Sequence, residues 1–135
     1  KLIIGNEGTG KTLRLLDLAN NAIKDAKGHL VYLDKSTRHM YEINNKVRLI
    51  DVSECGFSSI DEFYGFVCGI ISQDRDIEQL YFDSFKKLGK FEVSELGSIL
   101  DKFDQLSEKT GITFNMAMSV DEADIPDGYK DSILK

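Results

Sequence analysis

The stretch GNEGTGKT at residues 5–12 gathers the groups in this chain best suited to hold a polyanion. Gly5, Gly8 and Gly10 give the backbone the freedom to turn several N–H groups inward, as a loop around phosphate demands. Lys11 adds a cation and Thr12 a hydroxyl. At the spacing G-x-x-x-x-G-K-[ST], the Walker A form, the lysine reaches the β- and γ-phosphates of a nucleotide and the hydroxyl takes Mg²⁺. Asn6, Glu7 and Thr9 complete the loop, with Glu7 at its tip, so residues 5–12 are the expected phosphate-binding set. A site of this kind needs a second carboxylate for Mg²⁺ at the tip of a neighbouring strand. Asp83 is the candidate, because Leu80, Tyr81 and Phe82 run straight into it. Asp51 at the end of RLID competes, but Val52 continues that run.

Such a loop works only between a strand and a helix. Residues 2–4, LII, form a short apolar run suited to a strand buried on both faces. From Thr12 to about Lys27, Leu15, Leu16, Ala19, Ala22, Ile23 and Ala26 recur at three- and four-residue steps and predict an amphipathic helix that stops at Gly28. The helix start would present unpaired N–H groups and the positive end of its dipole to the anion. HLVYL (29–33) and KVRLIDV (46–52) predict strands, with a polar irregular loop between them. SIDE at 59–62 has the capping-box form and opens a helix to about Ser72. Within it, Gly65 and Gly69 suggest a face packed closely on a neighbour. EQLYFDSF (78–85) predicts a strand ending near Asp83, KKLGK (86–90) a basic turn, and residues 93–109 a helix closed by Thr110-Gly111. ITFNMAMSV (112–120) predicts the last strong strand, and the acidic tail turns at Pro126-Asp127-Gly128. This alternation predicts an α/β layer with a mostly parallel sheet.

The chain has 135 residues, the size of one domain, and we read 1–135 as a single nucleotide-binding unit. Since LII already reads as a complete strand, an initiator methionine is all we expect before Lys1. No secretory signal is expected, and no apolar run approaches the ~18 residues that would cross a bilayer. The net charge of −6 argues against nucleic acid as the main partner, since phosphate-backbone binding favours a basic surface. Cys55 and Cys68 fit neither a CxxC pair nor a zinc spacing, and free thiols in a reducing cytoplasm are the expectation.

With these residues in place, the chain resembles the P-loop NTPases and, more narrowly, the RecA-like and KaiC-like ATPases. The resemblance runs from Leu2 to about Val120. HLVYLD is similar to the second strand of that group, VRLIDV to the third, LYFDSF to its second acidic motif, and GITFNMAMS to the strand whose polar end senses the γ-phosphate, which assigns that part to Ser119. The resemblance implies a three-layer α/β/α fold of RecA-like strand order. The phosphate-loop strand would lie in the middle, with an extra strand between it and the Asp83 strand. It further implies Mg-ATP as ligand, and assembly between subunits is common in the group. The group carries a glutamate that activates water, and here Ser84 follows Asp83. Asp34 in DKS is the nearest substitute as general base, beside Lys11 and Asp83 in the catalytic set. Among Arg14, Arg38, Arg48 and Arg75, Arg38 stands closest to the expected site edge, next to His39. His29, opening a strand, is expected to be structural.

Three functions satisfy these residues. One is a RecA-like ATPase, a hydrolase that is slow or stimulated by a partner. Another is a small phosphotransferase, for which KKLGK stands where a basic flap would sit, although it contains no arginine. The third is a non-hydrolysing module that reports ATP or ADP to a partner through loop 34–46 or the tail. The guanine-type N-K-x-D is absent, since Asn45-Lys46 is followed by Val47 and Arg48, so adenine comes from the resemblance alone.

Overall fold

The computed structural model describes residues 1–135. Five strands form one all-parallel sheet: β1 (Leu2–Ile4), β2 (His29–Asp34), β3 (Arg48–Asp51), β4 (Ile77–Phe82) and β5 (Thr113–Met118). Their order across the sheet is β1-β5-β4-β2-β3. The register sets Leu2 beside Met116, Leu80 beside Phe114, Tyr32 beside Tyr81, and Val31 beside Arg48. Parallel neighbours need crossovers, and the helices α1 (Lys11–Ala22), α2 (Ile60–Gln73) and α4 (Leu96–Thr110) provide most of them. No helix is long and apolar enough to cross a membrane.

Alternation along the strands sends side chains to two separate cores. On one face Ile3, Leu30, Tyr32, Tyr81 and Ala117 pack on Leu15, Leu16 and Ala19 of α1. On the other, Leu33, Leu80, Phe82, Phe114 and Met116 pack on Phe63 and Val67 of α2 and on Leu96, Ile99, Leu100 and Phe103 of α4. That second core is aromatic. Phe82 meets Phe85 edge-on at 5.5 Å and Phe114 at 5.7 Å, and Phe85 meets Phe103 at 5.1 Å. Each such pair adds about 0.5–1.5 kcal/mol beyond its buried area.

Several expectations are corrected. The strand leading to the glycine loop, expected in the middle of the sheet, is not there. β1 ends the five-stranded sheet, and its outer side meets only a bridge from Leu2 to Ile133, with Leu134 N–H donating to Leu2 O at 2.7 Å. Arg14 fixes that tail through the carbonyls of Leu134 and Lys135. β5 does separate β1 from the strand ending at Asp83. α1 stops at Ala22, because the chain must leave the helix for Lys27 and Gly28 to donate to Glu78 Oε1 at 3.0 and 2.6 Å on the way into β2. KKLGK is not a turn. It belongs to a short helix, α3 (Phe85–Gly89), because Phe85 and Leu88 are drawn into the aromatic core. Ser59 caps α2 by accepting from Glu62 N–H, while the Glu62 carboxylate reaches back to Ser58. Gly65 and Gly69 face open space, so they pack on nothing. The polar loop after β2 hides two apolar anchors, Ile43 and Val47, in the α1-side core.

Candidate functional site

The carboxyl ends of β1, β2, β4 and β5 bring Gly5, Asp34, Asp83 and Ser119 to one rim of the sheet. In open parallel sheets this is the rim where ligands bind. The loop from Gly5 to Gly10 rises there and turns into α1. Gly8 and Gly10 both have φ near +80° (80° and 81°), a left-handed conformation that side chains with a Cβ resist, and Gly10 in it caps α1. Thr9 Oγ1 and Lys11 Nζ both donate to the Asn6 carbonyl, at 2.7 and 2.6 Å, which braces the loop from inside its own sequence.

Lys11 and Thr12 are the first two residues of α1. The Thr12 hydroxyl donates to Asp83 Oδ1 at 3.1 Å, spanning 71 residues of sequence. The other oxygen of Asp83 accepts from the Tyr32 hydroxyl, also at 3.1 Å. Asp83 is 4 % exposed and Tyr32 fully buried. Burial, reinforced by the Asp83 charge, pushes the Tyr32 hydroxyl far above its ordinary range, so it stays protonated and a donor. Asp83 thus accepts from two neutral hydroxyls and from no cation.

A cavity of about 300 Å³ opens over this carboxylate. Four cations line it, Lys11, Lys35, Arg38 and Lys87, against two carboxylates, Glu7 and Asp83. In a chain of net charge −6 this is a local reversal of sign, and it favours an anion. Gly8, Gly10, Thr12, Ser84 and Ser119 share the lining. Gly5, Asn6 and Thr9 shape the loop without lining the cavity.

Asp34 is also 4 % exposed, but it does not line the cavity. One of its oxygens accepts from Lys35 N–H at 2.7 Å and the other has no partner. Burial first, and the charge of Asp83 second, raise its carboxyl above the ordinary range. The arginines separate clearly. Arg38 lines the cavity, Arg14 holds the tail, Arg48 pairs with Asp74 at the opposite rim, and Arg75 lies with Asp74 beside Thr110 and Ile112. His39 pairs with Glu42 at 3.3 Å and His29 with Asp74 at 2.6 Å.

Two residues at this site have no part in the sequence-based expectation, Tyr32 and Lys35, and Lys87 enters it only within the basic flap KKLGK. The signal for Tyr32 was its place two residues before Asp34 in HLVYLD, but its partner is visible only once β2 pairs with β4. Ser84, which stands where the resembled group can carry a glutamate, has a backbone role. It is left-handed, with φ 59°, which turns the chain sharply from β4 into α3. No protein-family model matches this chain, and no curated protein matches it.

Proposed function

We propose that this chain is a P-loop nucleotide-binding domain of RecA-like type that binds Mg-ATP and turns it over slowly or under the stimulus of a partner. One observation carries the reading. A glycine loop with two left-handed glycines delivers the Thr12 hydroxyl onto Asp83, a buried carboxylate from a different strand, beneath a cavity lined by four cations. A surface turn rich in glycine would have no reason to meet a buried carboxylate there. In this reading the loop N–H groups and Lys11 hold the phosphates, and Ser119 stands near the terminal one. Thr12 and Asp83 suit Mg²⁺, because it is a hard cation that takes oxygen donors and both side-chain partners of Asp83 are neutral hydroxyls. When bound, Mg²⁺ would neutralise phosphate charge. Two free thiols, Cys55 and Cys68, fit a reducing, cytoplasmic setting.

A second reading, a module that binds the nucleotide without hydrolysing it, is favoured by Asp34. A general base must reach the attacking water, and this carboxylate is buried outside the cavity lining. Titration of the protein with Mg-ATP, followed by phosphate release, separates the two. We expect binding by wild type and a loss of about 100-fold in affinity for Lys11→Ala, since a charged hydrogen bond to phosphate is removed. Phosphate release supports the ATPase, and tight binding without release supports the module. Absence of binding to any nucleotide overturns both.

A further inference from the structure

Glu7 is an odd residue for a loop that holds phosphate. Its carboxylate lines the cavity and would repel a polyanion. Its oxygen Oε1 accepts from Lys87 Nζ at 2.9 Å, across 80 residues of sequence, and Lys87 lines the same cavity. Both side chains are exposed, 71 % and 51 %, so water competes for this pair and burial adds little to it.

The base beneath Lys87 is firm. α3 is bracketed by two left-handed residues, Ser84 with φ 59° and Lys90 with φ 51°. Phe85 and Leu88 anchor it among Phe63, Phe82, Phe91 and Phe103. Lys87 therefore leaves a fixed helix, and only its side chain has freedom. Between α3 and the loop lies a second hollow of about 260 Å³ lined only by polar residues: Glu7, Ser84, Lys86, Lys87 and Ser119. Lys11 lines the cavity from α1, and Lys87 lines it from α3, four residues beyond Asp83.

We propose that Lys87 is the contact for the terminal phosphate, setting a preference for nucleoside triphosphate over diphosphate, and that Glu7 holds it in competition with the ligand. This rests on the phosphate reading of the cavity. A phosphate chain held by the loop and Lys11 extends toward the strand end that carries Asp83, and its last group is the one within reach of α3. A triphosphate then draws Lys87 from Glu7 to itself. A diphosphate ends short of the lysine and leaves the ion pair closed.

The two partners of the pair are thereby given opposite effects, which a merely structural ion pair would not have. The experiment is calorimetric titration of wild type, Lys87→Gln, Glu7→Gln and the double variant with Mg-ATP and with Mg-ADP. Both positions are exposed, so all four proteins should have the same circular dichroism. We expect Lys87→Gln to weaken ATP about tenfold with ADP changed less than about twofold, Glu7→Gln to tighten ATP, and the double variant to lose the ATP preference. Equal shifts for both nucleotides, no shift for either, or weaker ATP binding by Glu7→Gln would each overturn the assignment while leaving the phosphate site intact. Wild type that binds neither nucleotide removes the phosphate reading and this assignment together.

Discussion

Asp83 and Asp74 stand at opposite rims of the same sheet, and each accepts two hydrogen bonds from side chains. The donors differ. Asp83 is met by the hydroxyls of Thr12 and Tyr32, Asp74 by the ring of His29 and the guanidinium of Arg48. The hydrogen bond from His29, above all, holds Asp74 below the usual carboxylate range, with the Asp76 N–H and Arg48 adding to it. Hydroxyls orient a carboxylate and leave its charge available to a cation. A guanidinium has already spent that charge. The difference explains why His29, Asp74 and Asp76, though their ligand atoms lie within 4.8 Å of one another, make a poor metal centre. Under the proposed reading, only the Asp83 rim keeps a carboxylate free for a cation. Polar pairing by itself is not the mark of a site; the formal charge of the donors decides.

The sharpest way to break this comparison is to neutralise each acid in turn. Asp83→Asn should lower Mg-ATP affinity at least about tenfold and abolish its dependence on Mg²⁺, since it removes a charged ligand while keeping an acceptor for Thr12. Asp74→Asn should leave nucleotide binding where it was. Equal losses in the two titrations would mean that the donors do not matter. Next in size is Tyr32→Phe. It strips one partner from a buried carboxylate oxygen and should cost about 1–2 kcal/mol in urea unfolding, with the fold retained. A variant as stable as wild type would show that the hydroxyl does not support Asp83.

The smallest effect concerns a third carboxylate, Asp34, which has neither hydroxyl nor cation on its second oxygen. Its folded carboxyl is raised above the ordinary 3.8, so the folded state holds the proton more tightly than the unfolded chain. The destabilisation is complete at pH above the raised value and disappears as pH falls to 3.8. In buffer with EDTA and no nucleotide, Asp34→Asn should therefore melt above wild type at pH 7, with the gap closing toward pH 4. A gap independent of pH would place the effect in packing and not in charge.

Much of this was legible because it is local. Each predicted strand lies on an observed one, since a short apolar run between turn residues has few other uses in a parallel sheet. The glycine loop, Thr12 and Asp83 stand out by spacing and by the strands beside them, and the structure brings them to one cavity. What the sequence withheld is what pairing decides. The position of β1 at the sheet's end has no signature in LII, because a strand buried on both faces reads alike in the centre and at the side. Tyr32 looked like one more aromatic in a strand until the β2–β4 register put it beside Tyr81 and under Asp83. Lys87 sat in a segment that looked like a basic turn, because two buried side chains, Phe85 and Leu88, are too few to show a helical period. α1 was read too long for the opposite reason: Ile23 and Ala26 keep the apolar step after the chain has left the helix.

The pairing of β1 also governs the order in which the molecule can assemble. Leu2, Ile3 and Ile4 have Met116, Ala117 and Met118 as their lateral partners, and the outer side of Leu2 waits for Ile133. A ribosome must therefore make every residue from β1 through β5 before β1 has a lateral neighbour. Contacts so distant in sequence slow folding. The glycine loop that follows β1 is made before β5, the strand that anchors it, and a nascent chain presents its glycines, lysine and threonine as unstructured peptide until β5 arrives.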